Sequence, residues 1–472
     1  MKKTNILILV TDQLSQRAVG AYGNKDSETS AIDNIAANGI RFSNAYTPCP
    51  LCCPARASFW TGLLPHDTQV ESNGNRSGTD WVQEDVNEGI PTLGSIFNKN
   101  GYECIHFGKT HDAGTLRGFY IEPEKELELE GSAAWPVNYD SRRDEYTVKK
   151  SVEYLNKKHD KPFLMVADIQ NPHDICNWIG KFKGKPENIT GPGKLPELLD
   201  NFDNKDWENR PIPIQYICCS HRRMQQASQW DENNYRHYLA AYYHYVKRAD
   251  NCIRKILDAL KKSGEMDNTL IVFLSDHGDG MGAHRMVTKQ VSFIEETARI
   301  PLIFSGPGIT PRGTMNSDQL VSLDDLLPSL CDYAELPVPE GIYGKSLMPY
   351  LRSSSKNKLR DYVVSEWTTE WGFTVSPGRM LRTDRYKYIR YLEGNGEELF
   401  DLQNDPGERH SLIKDPKFQE VLAEHRKLLL EHIKKSNDNF FERNVKVHSR
   451  WRSHCPGYQH HLGSSAPEQK SR

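Results

Sequence analysis

The chain has 472 residues, 37% of them hydrophobic and 26% charged, and a formal net charge of −3. This is the composition of an ordinary globular protein, long enough for one large domain and a smaller one. It excludes a general nucleic-acid binder, because no basic stripe dominates, and no apolar run reaches the length of a membrane span.

Met1-Lys2-Lys3-Thr4 leads into Ile6-Leu7-Ile8-Leu9-Val10, and Asp12 follows at once. A basic start before an apolar run looks like a signal peptide, but this run is too short and no small-residue cleavage site follows. It reads as a first buried strand. The expectation is a cytoplasmic protein, or a periplasmic one if a leader has been removed. The pattern of a short apolar run closing on polar or glycine residues recurs three times. Cys104 to Phe107 closes on Gly108-Lys109-Thr110-His111, Phe163 to Asp168 on Asn171-Pro172-His173-Asp174, and Leu270 to Leu274 on Ser275-Asp276-His277-Gly278. Such runs fit strands buried on both faces of a sheet. Thr147 to Lys157, Tyr238 to Lys262 and Ser322 to Tyr333 have apolar residues at helical spacing, the last with Ser322 placed to cap it. Strands alternating with helices predict an α/β fold, a large central mostly parallel sheet flanked by helices. Ligands in such sheets bind beyond the carboxyl ends of the strands, so the four polar clusters should converge on one site.

A serine-rich break near residue 355 divides the chain. Residues 1–355 are expected to form the catalytic domain, 356–447 a small C-terminal α+β subdomain with an antiparallel sheet, and 448–472 a polar tail. Short strands are predicted at Tyr362 to Ser365, Met380 to Thr383, Tyr386 to Tyr391 and Glu398 to Leu402, then a helix from Pro416 to Lys434. The 9 tryptophans and 21 tyrosines fit core packing first and a sugar-binding cleft second. The 10 cysteines, in a long chain with no visible leader, are expected to be free thiols.

The densest chemical signal is Cys52-Cys53-Pro54-Ala55-Arg56, continuing Ala57-Ser58-Phe59-Trp60-Thr61-Gly62. Pro54 suits the first turn of a helix. That puts Cys52 at a helix N-terminus, where free N–H groups and the helix dipole favour an anion. Arg56, about one turn on, adds a fixed positive charge. The pentad reads as a sulfur residue beside an anion pocket. Other readings stand beside this one. Cys49-Pro50-Leu51-Cys52 has the CxxC spacing of a redox pair or half a zinc site, although no second CxxC exists, and Cys53 fits a small buried hydrophobe. Asp12, Gln13 and Asp276 offer hard oxygen donors and His277 a nitrogen. Taken singly, each is equally an ordinary cap or loop residue.

Cys-x-Pro-x-Arg followed by Ala-Ser-x-x-Thr-Gly resembles the signature of the type I, formylglycine-dependent sulfatases of the alkaline phosphatase superfamily. The resemblance covers nearly the whole chain. Asn5 to Gln13 is similar to the family's opening strand with its metal ligands. Gly101-Tyr102 with Gly108-Lys109-Thr110-His111, and Pro172-His173, match further family elements. Ser275-Asp276-His277-Gly278-Asp279, Met281-Gly282-Ala283-His284 and Lys289-Gln290 resemble the segment with the remaining metal ligands and a sulfate-binding lysine. Glu295 to Ile303 resembles the next strand, and Glu398 to Leu402 with Asp405-Pro406-Gly407-Glu408 the C-terminal hairpin.

The resemblance implies a sulfuric ester hydrolase that uses one divalent metal ion and 3-oxoalanine (formylglycine) made from Cys52 by a formylglycine-generating enzyme. It implies Asp12, Gln13, Cys52, Asp276 and His277 as metal ligands, and Lys109, His173, Lys289 and His284 around the substrate. On the same resemblance the aldehyde made from Cys52 would hydrate to a diol, and one hydroxyl, its pKa lowered by the metal and Arg56, would be the nucleophile. His173, with Lys289 as a further candidate, would act as general acid to the leaving alcohol, and His111 would take a proton from the second hydroxyl. Many members have two successive aspartates where this chain has Asp12-Gln13, and an asparagine in place of His277. The Gln and His pattern looks more like the choline-sulfatase and phosphonate-monoester-hydrolase branch. Family precedent favours Ca²⁺, while a nitrogen donor and fewer carboxylates tilt the choice towards Mn²⁺, with Mg²⁺ a further candidate. The alternatives are a phosphonate monoester or phosphodiester hydrolase and a non-catalytic binding protein on the same scaffold. The intact set of Cys52, Arg56, Asp12, Asp276 and Lys289 argues against the second. The implied partner is a small-molecule or glycan sulfate ester, with a sulfated saccharide of the glycosaminoglycan or mucin kind the expected class; neither nucleic acid nor membrane is implied. The insert from Glu122 to Asp140 is compatible with a saccharide substrate, and Cys218 to Arg223 is expected to be a loop near the substrate mouth.

Overall fold

The computed structural model describes residues 3–74, 84–121, 142–182, 194–203, 210–215, 222–227, 230–289, 292–353, 355–368, 377–392 and 396–443. The insert from Glu122 to Asp140, Cys218 to His221 and the tail at 448–472 lie outside these residues.

In chain order the strands are β1 (Asn5–Asp12), β2 (Gly39–Phe42), β3 (Ala45–Tyr46), β4 (Glu103–Gly108), β5 (Tyr120–Ile121), β6 (Phe163–Pro172) and β7 (Thr269–Ser275). Then come β8 (Leu302–Ser305), β9 (Thr314–Asn316), β10 (Val321–Ser322), β11 (Val363–Trp367), β12 (Gly378–Arg382), β13 (Tyr386–Tyr391) and β14 (Glu397–Asp401). Eight form one sheet in the order β5-β4-β6-β1-β7-β8-β2-β9. β4, β6, β1 and β7 are adjacent and parallel, whereas β8 runs antiparallel to both its neighbours. The four predicted runs are thus the centre of a mostly parallel sheet.

Every residue of β1, β6 and β7 is buried, because alternate side chains serve two cores. Leu7, Leu9, Met165, Ala167, Ile271 and Phe273 pack on one face with Tyr238, Tyr242 and Val246 of the 31-residue helix Glu232–Lys262. Ile6, Ile8, Val10, Val166, Val272 and Leu274 pack on the other with Phe59, Trp60, Leu326 and Leu330. Asp231 caps the long helix, accepting from Asn234 N at 2.8 Å. The helix foreseen from Ser322 opens as a short 3-10 turn, where Asp325 Oδ2 accepts from Ser322 N at 3.0 Å, and continues as Leu326–Tyr333.

β11 to β14 form an antiparallel meander. The helix Gln419–Lys435 lays Leu422, Leu429 and Ile433 against Leu381, Tyr388 and Leu399 of this sheet. Met380, Ile389 and Phe400 join the large core from the other face. Buried ion pairs fasten the sheet further: Lys387 Nζ lies 2.7 Å from Glu295 and 2.8 Å from Glu408. At its edge, Glu366 N donates to Pro48 O at 2.7 Å, just ahead of Cys52 in sequence.

Trp60, Trp178, Trp230 and Trp367 are core residues, and the remaining tryptophans lie outside the described residues. Cys49, Cys52, Cys53, Cys104, Cys176, Cys252 and Cys331 are free, as expected. Among the described residues no helix is long and apolar enough to cross a membrane.

Candidate active site

The register of the central strands pairs Gly108 with Asp168, Asp12 with Pro172 and Thr11 with Ser275. Residues just beyond these positions are therefore neighbours along one edge of the sheet. β1 delivers Asp12 and Gln13, β4 delivers Lys109 and His111, β6 delivers His173, and β7 delivers Asp276 and His277. Gly108 has φ 100, and a Cβ there would run into the carbonyl oxygen of Asp168. Only glycine fits this turn, through which the chain carries Lys109 inward.

Against this edge stands the helix Cys52–Thr61, every residue of which is buried. Cys52 opens its first turn after an extended Leu51, and Gly62 closes it in the left-handed region. Cys52 Sγ has Lys289 Nζ at 3.0 Å, His277 Nε2 at 3.3 Å, Lys109 Nζ at 3.7 Å and Asp12 Oδ1 at 3.8 Å. Burial and the Asp12 carboxylate oppose ionisation of the thiol. Lys109, Lys289 and His277 outweigh them and hold it well below the ordinary thiol range.

Ligand atoms of Asp12, Cys52, Asp276 and His277 all lie within 4.8 Å of one another. His277 Nδ1 is 2.9 Å from Gly278 O, which can only accept, so Nδ1 carries a proton and Nε2 is the atom that faces Cys52 and the carboxylates. Burial and the neighbouring Asp12 push the Asp276 carboxyl above its usual range, a cost that a cation between the two would relieve. Two buried carboxylates, one imidazole nitrogen and the atom at position 52 fit a divalent metal. Gln13 borders the group: its backbone N donates to Asp276 Oδ1 at 3.1 Å, and its side-chain oxygen accepts from Lys289 Nζ at 3.0 Å.

Arg56 is fully buried. Its guanidinium bonds to Asp168, to Asp276 Oδ2 at 3.0 Å and to Asp12 Oδ2 at 3.5 Å. It thereby holds the carboxylates that surround Cys52. Asp168 escaped sequence reasoning, since it is written as the last residue of an apolar run. Half-buried His173 faces Lys289, Asp12, Lys109 and Cys52, and burial followed by Lys289 drives its pKa well below the ordinary value. His111 is tied to the helix Cys52–Thr61 through Asn73: its Nε2 lies 3.4 Å from Asn73 O, and Asn73 Oδ1 accepts from Cys53 N at 2.9 Å. His284 is not brought into the group. It is buried with φ 50, its backbone N donates to Asn201 O at 2.9 Å, and burial and then Arg210 dominate its surroundings. The turn at Gly282 carries it towards the small sheet.

At the carboxyl ends of the parallel strands, two lysines and a metal-type donor set thus close on one buried sulfur at a helix start. The chain belongs to the sulfatase family, of the alkaline phosphatase superfamily: the family model matches residues 4–336. A second model, N-sulphoglucosamine sulphohydrolase, C-terminal, matches residues 282–435. The Delta 4,5-hexuronate-2-O-sulfatase of Bacteroides thetaiotaomicron is 48% identical over 470 residues, covering 99% of this chain and 96% of that protein. The solved structure of a 2-O GAG sulfatase superposes with a TM-score of 0.89 at 48% identity, covering 97% of each chain. The phosphonate monoester hydrolase of Agrobacterium radiobacter shares the fold at a TM-score of 0.74 and 20% identity, covering 93% of this chain and 97% of that one. Identity of that order carries the fold alone, and the phosphonate alternative is not favoured.

Proposed function

We propose that this sulfatase removes the 2-O-sulfate of an unsaturated hexuronate derived from a glycosaminoglycan. The observation that carries the catalytic part is the convergence of Lys289, Lys109 and His277 on one buried sulfur beside two carboxylates. The substrate part is supported by 48% identity, over 99% of this chain, to a hexuronate-2-O-sulfatase.

Asp12, Gln13, Asp276, His277 and the residue at position 52 hold the divalent metal, with Ca²⁺ as the first choice and Mn²⁺ as the second. When bound, the metal would supply positive charge to offset the charge of the sulfate and act as a Lewis acid. Conversion of Cys52 by a formylglycine-generating enzyme supplies an oxygen nucleophile that can regenerate itself by expelling sulfate, which a thiol cannot do. Lys109 and Lys289 bind the sulfate and stabilise the charge that builds on its oxygens. Arg56 fixes Asp12 and Asp276 with help from Asp168. His173 is neutral in the free site. An anionic substrate raises its pKa, so that it holds a proton for the leaving sugar oxygen. His111 accepts the proton from position 52 that must leave before sulfate can. Residues 1–355 supply this machinery, and residues 356–447 form the subdomain that braces it.

Defined unsaturated disaccharides sulfated at O2 of the uronate, at O6 or at N of the hexosamine test the reading. Sulfate release from the 2-O-sulfated member alone is the expected result. Preference for a hexosamine sulfate would reject the substrate while leaving the catalytic assignment intact.

A further inference from the structure

We propose that Asp279 and Tyr238 are positioning residues that orient the amide of Gln13 and, through it, Lys289, and that Asp279 is why position 13 carries an amide rather than a carboxylate. The proposal rests on Cys52 being the reacting centre; it does not depend on which sulfate ester is cleaved.

Gln13 sits in the left-handed region with φ 70, directly after the end of β1. Its backbone is clamped on both sides. The N–H donates to Asp276 Oδ1 at 3.1 Å, and the carbonyl accepts from Tyr242 OH at 2.7 Å. The side chain is clamped as well. Nε2 donates to Asp279 Oδ2 at 2.7 Å, and Oε1 accepts from Lys289 Nζ at 3.0 Å. The same ammonium lies 3.0 Å from Cys52 Sγ.

An amide has one donating end and one accepting end, whereas a carboxylate only accepts. Asp279 therefore dictates which way the Gln13 amide faces. With its nitrogen committed to Asp279, its oxygen must face the site. Asp279 is itself fixed: Oδ1 accepts from Tyr238 OH and, at 2.8 Å, from Met281 N. Tyr238 OH in turn accepts from Thr288 N at 3.1 Å, so the residue before Lys289 hangs on the same hydroxyl. Asp279, Gln13 and Tyr238 are fully buried and Lys289 nearly so, so water cannot replace these bonds cheaply. A continuous relay runs from the helix Glu232–Lys262 to the nucleophile.

A glutamate at position 13 would set one buried carboxylate against another where the amide now makes a 2.7 Å bond. Like charges that close cannot both stay ionised at low cost. An asparagine in place of Asp279 would make glutamate acceptable again, because its side-chain N–H could donate where Asp279 now accepts. This accounts for the departure from two successive aspartates at the end of β1.

The test is a double-mutant cycle of Gln13→Glu and Asp279→Asn, read as kcat/KM on the sulfate ester that the wild-type enzyme hydrolyses fastest. Because Gln13 is also placed among the metal ligands, each protein is first shown to be folded and to carry the wild-type formylglycine and metal content. Each single variant should lose about 10²–10³-fold, as expected when one preorganised electrostatic contact at a reacting centre is misdirected. The double variant should return to within about tenfold of wild type. Losses that simply multiply in the double variant would overturn the proposal, as would a fully active Gln13→Glu. If Gln13→Glu does not fold, Tyr238→Phe decides. It keeps the ring, and removal of its hydroxyl should lower kcat about tenfold by freeing Asp279 and the Thr288 backbone; unchanged kcat would overturn the relay. A wild-type enzyme inactive on every sulfate ester would instead defeat the catalytic assignment, so the two failures are distinguishable.

Discussion

Lys289, the cation nearest Cys52, stands 237 positions away in sequence and 3.0 Å away in space. At the scale of residues, the chemistry depends on such meetings of side chains with opposite duties. The proposed division of proton traffic between His173 and His111 can be separated by a substitution at each. His173→Ala should cost about 10²–10⁴-fold on a sulfated sugar, whose alkoxide is a poor leaving group, and little on an aryl sulfate. His111→Ala should slow sulfate release from both substrates alike. Rates on the two substrates for each variant check this, and an equal loss for His173→Ala on both would make it a sulfate-binding group and Lys289 the better acid. Asp12, Lys109, His173 and Asp276, which the structure brings together, could be placed from sequence because each follows an apolar run whose end can be seen; Cys52 is marked by its pentad and Lys289 by resemblance. Asp168, Asp279 and Tyr238 could not. They lie within or just beyond regular elements, and their roles come from partners 112, 266 and 41 positions away. His284 shows the converse: a substrate-side residue by resemblance, it lies at φ 50 with Arg210 and the Gly407 backbone around its ring.

At the scale of elements, parallel neighbours ending at one level make the site, and a few backbone positions decide whether they do. Gly108 is the sharpest of these. Gly108→Ala would place a methyl group against the Asp168 carbonyl at φ 100, costing on the order of 3 kcal/mol from strain and overlap together. The denaturation midpoint should fall accordingly, and turnover should fall further than stability alone explains, because Lys109 is displaced. A variant with wild-type stability and activity would show that the turn is not under this constraint. The strands were legible because β1, β6 and β7 are buried on both faces and read as unbroken apolar runs. Their ends extend beyond the runs, through Thr11-Asp12 and Ile169 to Pro172, because backbone pairing continues where the side chains turn polar. β5 and β9, with two and three residues, are too short to announce themselves by periodicity.

At the scale of the molecule, the small sheet braces the loop ahead of Cys52, and one of its links titrates. His66 Nδ1 lies 2.7 Å from Glu366 Oε1, and Nε2 3.0 Å from Ser436 O. Burial works against the imidazolium, but Glu366 overcomes it and raises the pKa from 6.5 to about 9. Burial likewise opposes the Glu366 carboxylate, but Arg379 and His66 hold it down at about 2 rather than 4.5. The histidine's contribution is full below pH 6.5 and lost as pH rises through 9; that of the glutamate is full above pH 4.5 and lost as pH falls through 2. His66→Ala should therefore cost about 2 kcal/mol between pH 4.5 and 6.5, and progressively less up to pH 9. Unfolding of both proteins across that range checks it, and a pH-independent difference would contradict it. Chelation should abolish turnover, and Asp276→Ala should do the same in a folded protein; undiminished turnover after chelation would remove the metal from the account.

The central claim is that position 52 works as formylglycine rather than as cysteine. Intact mass of protein co-produced with a formylglycine-generating enzyme, measured alongside specific activity, tests it most directly. The converted protein should be about 18 Da lighter than the thiol form, the mass of that covalent change, and activity should rise in proportion to the converted fraction. Full activity from protein in which Cys52 is still a thiol would contradict the account.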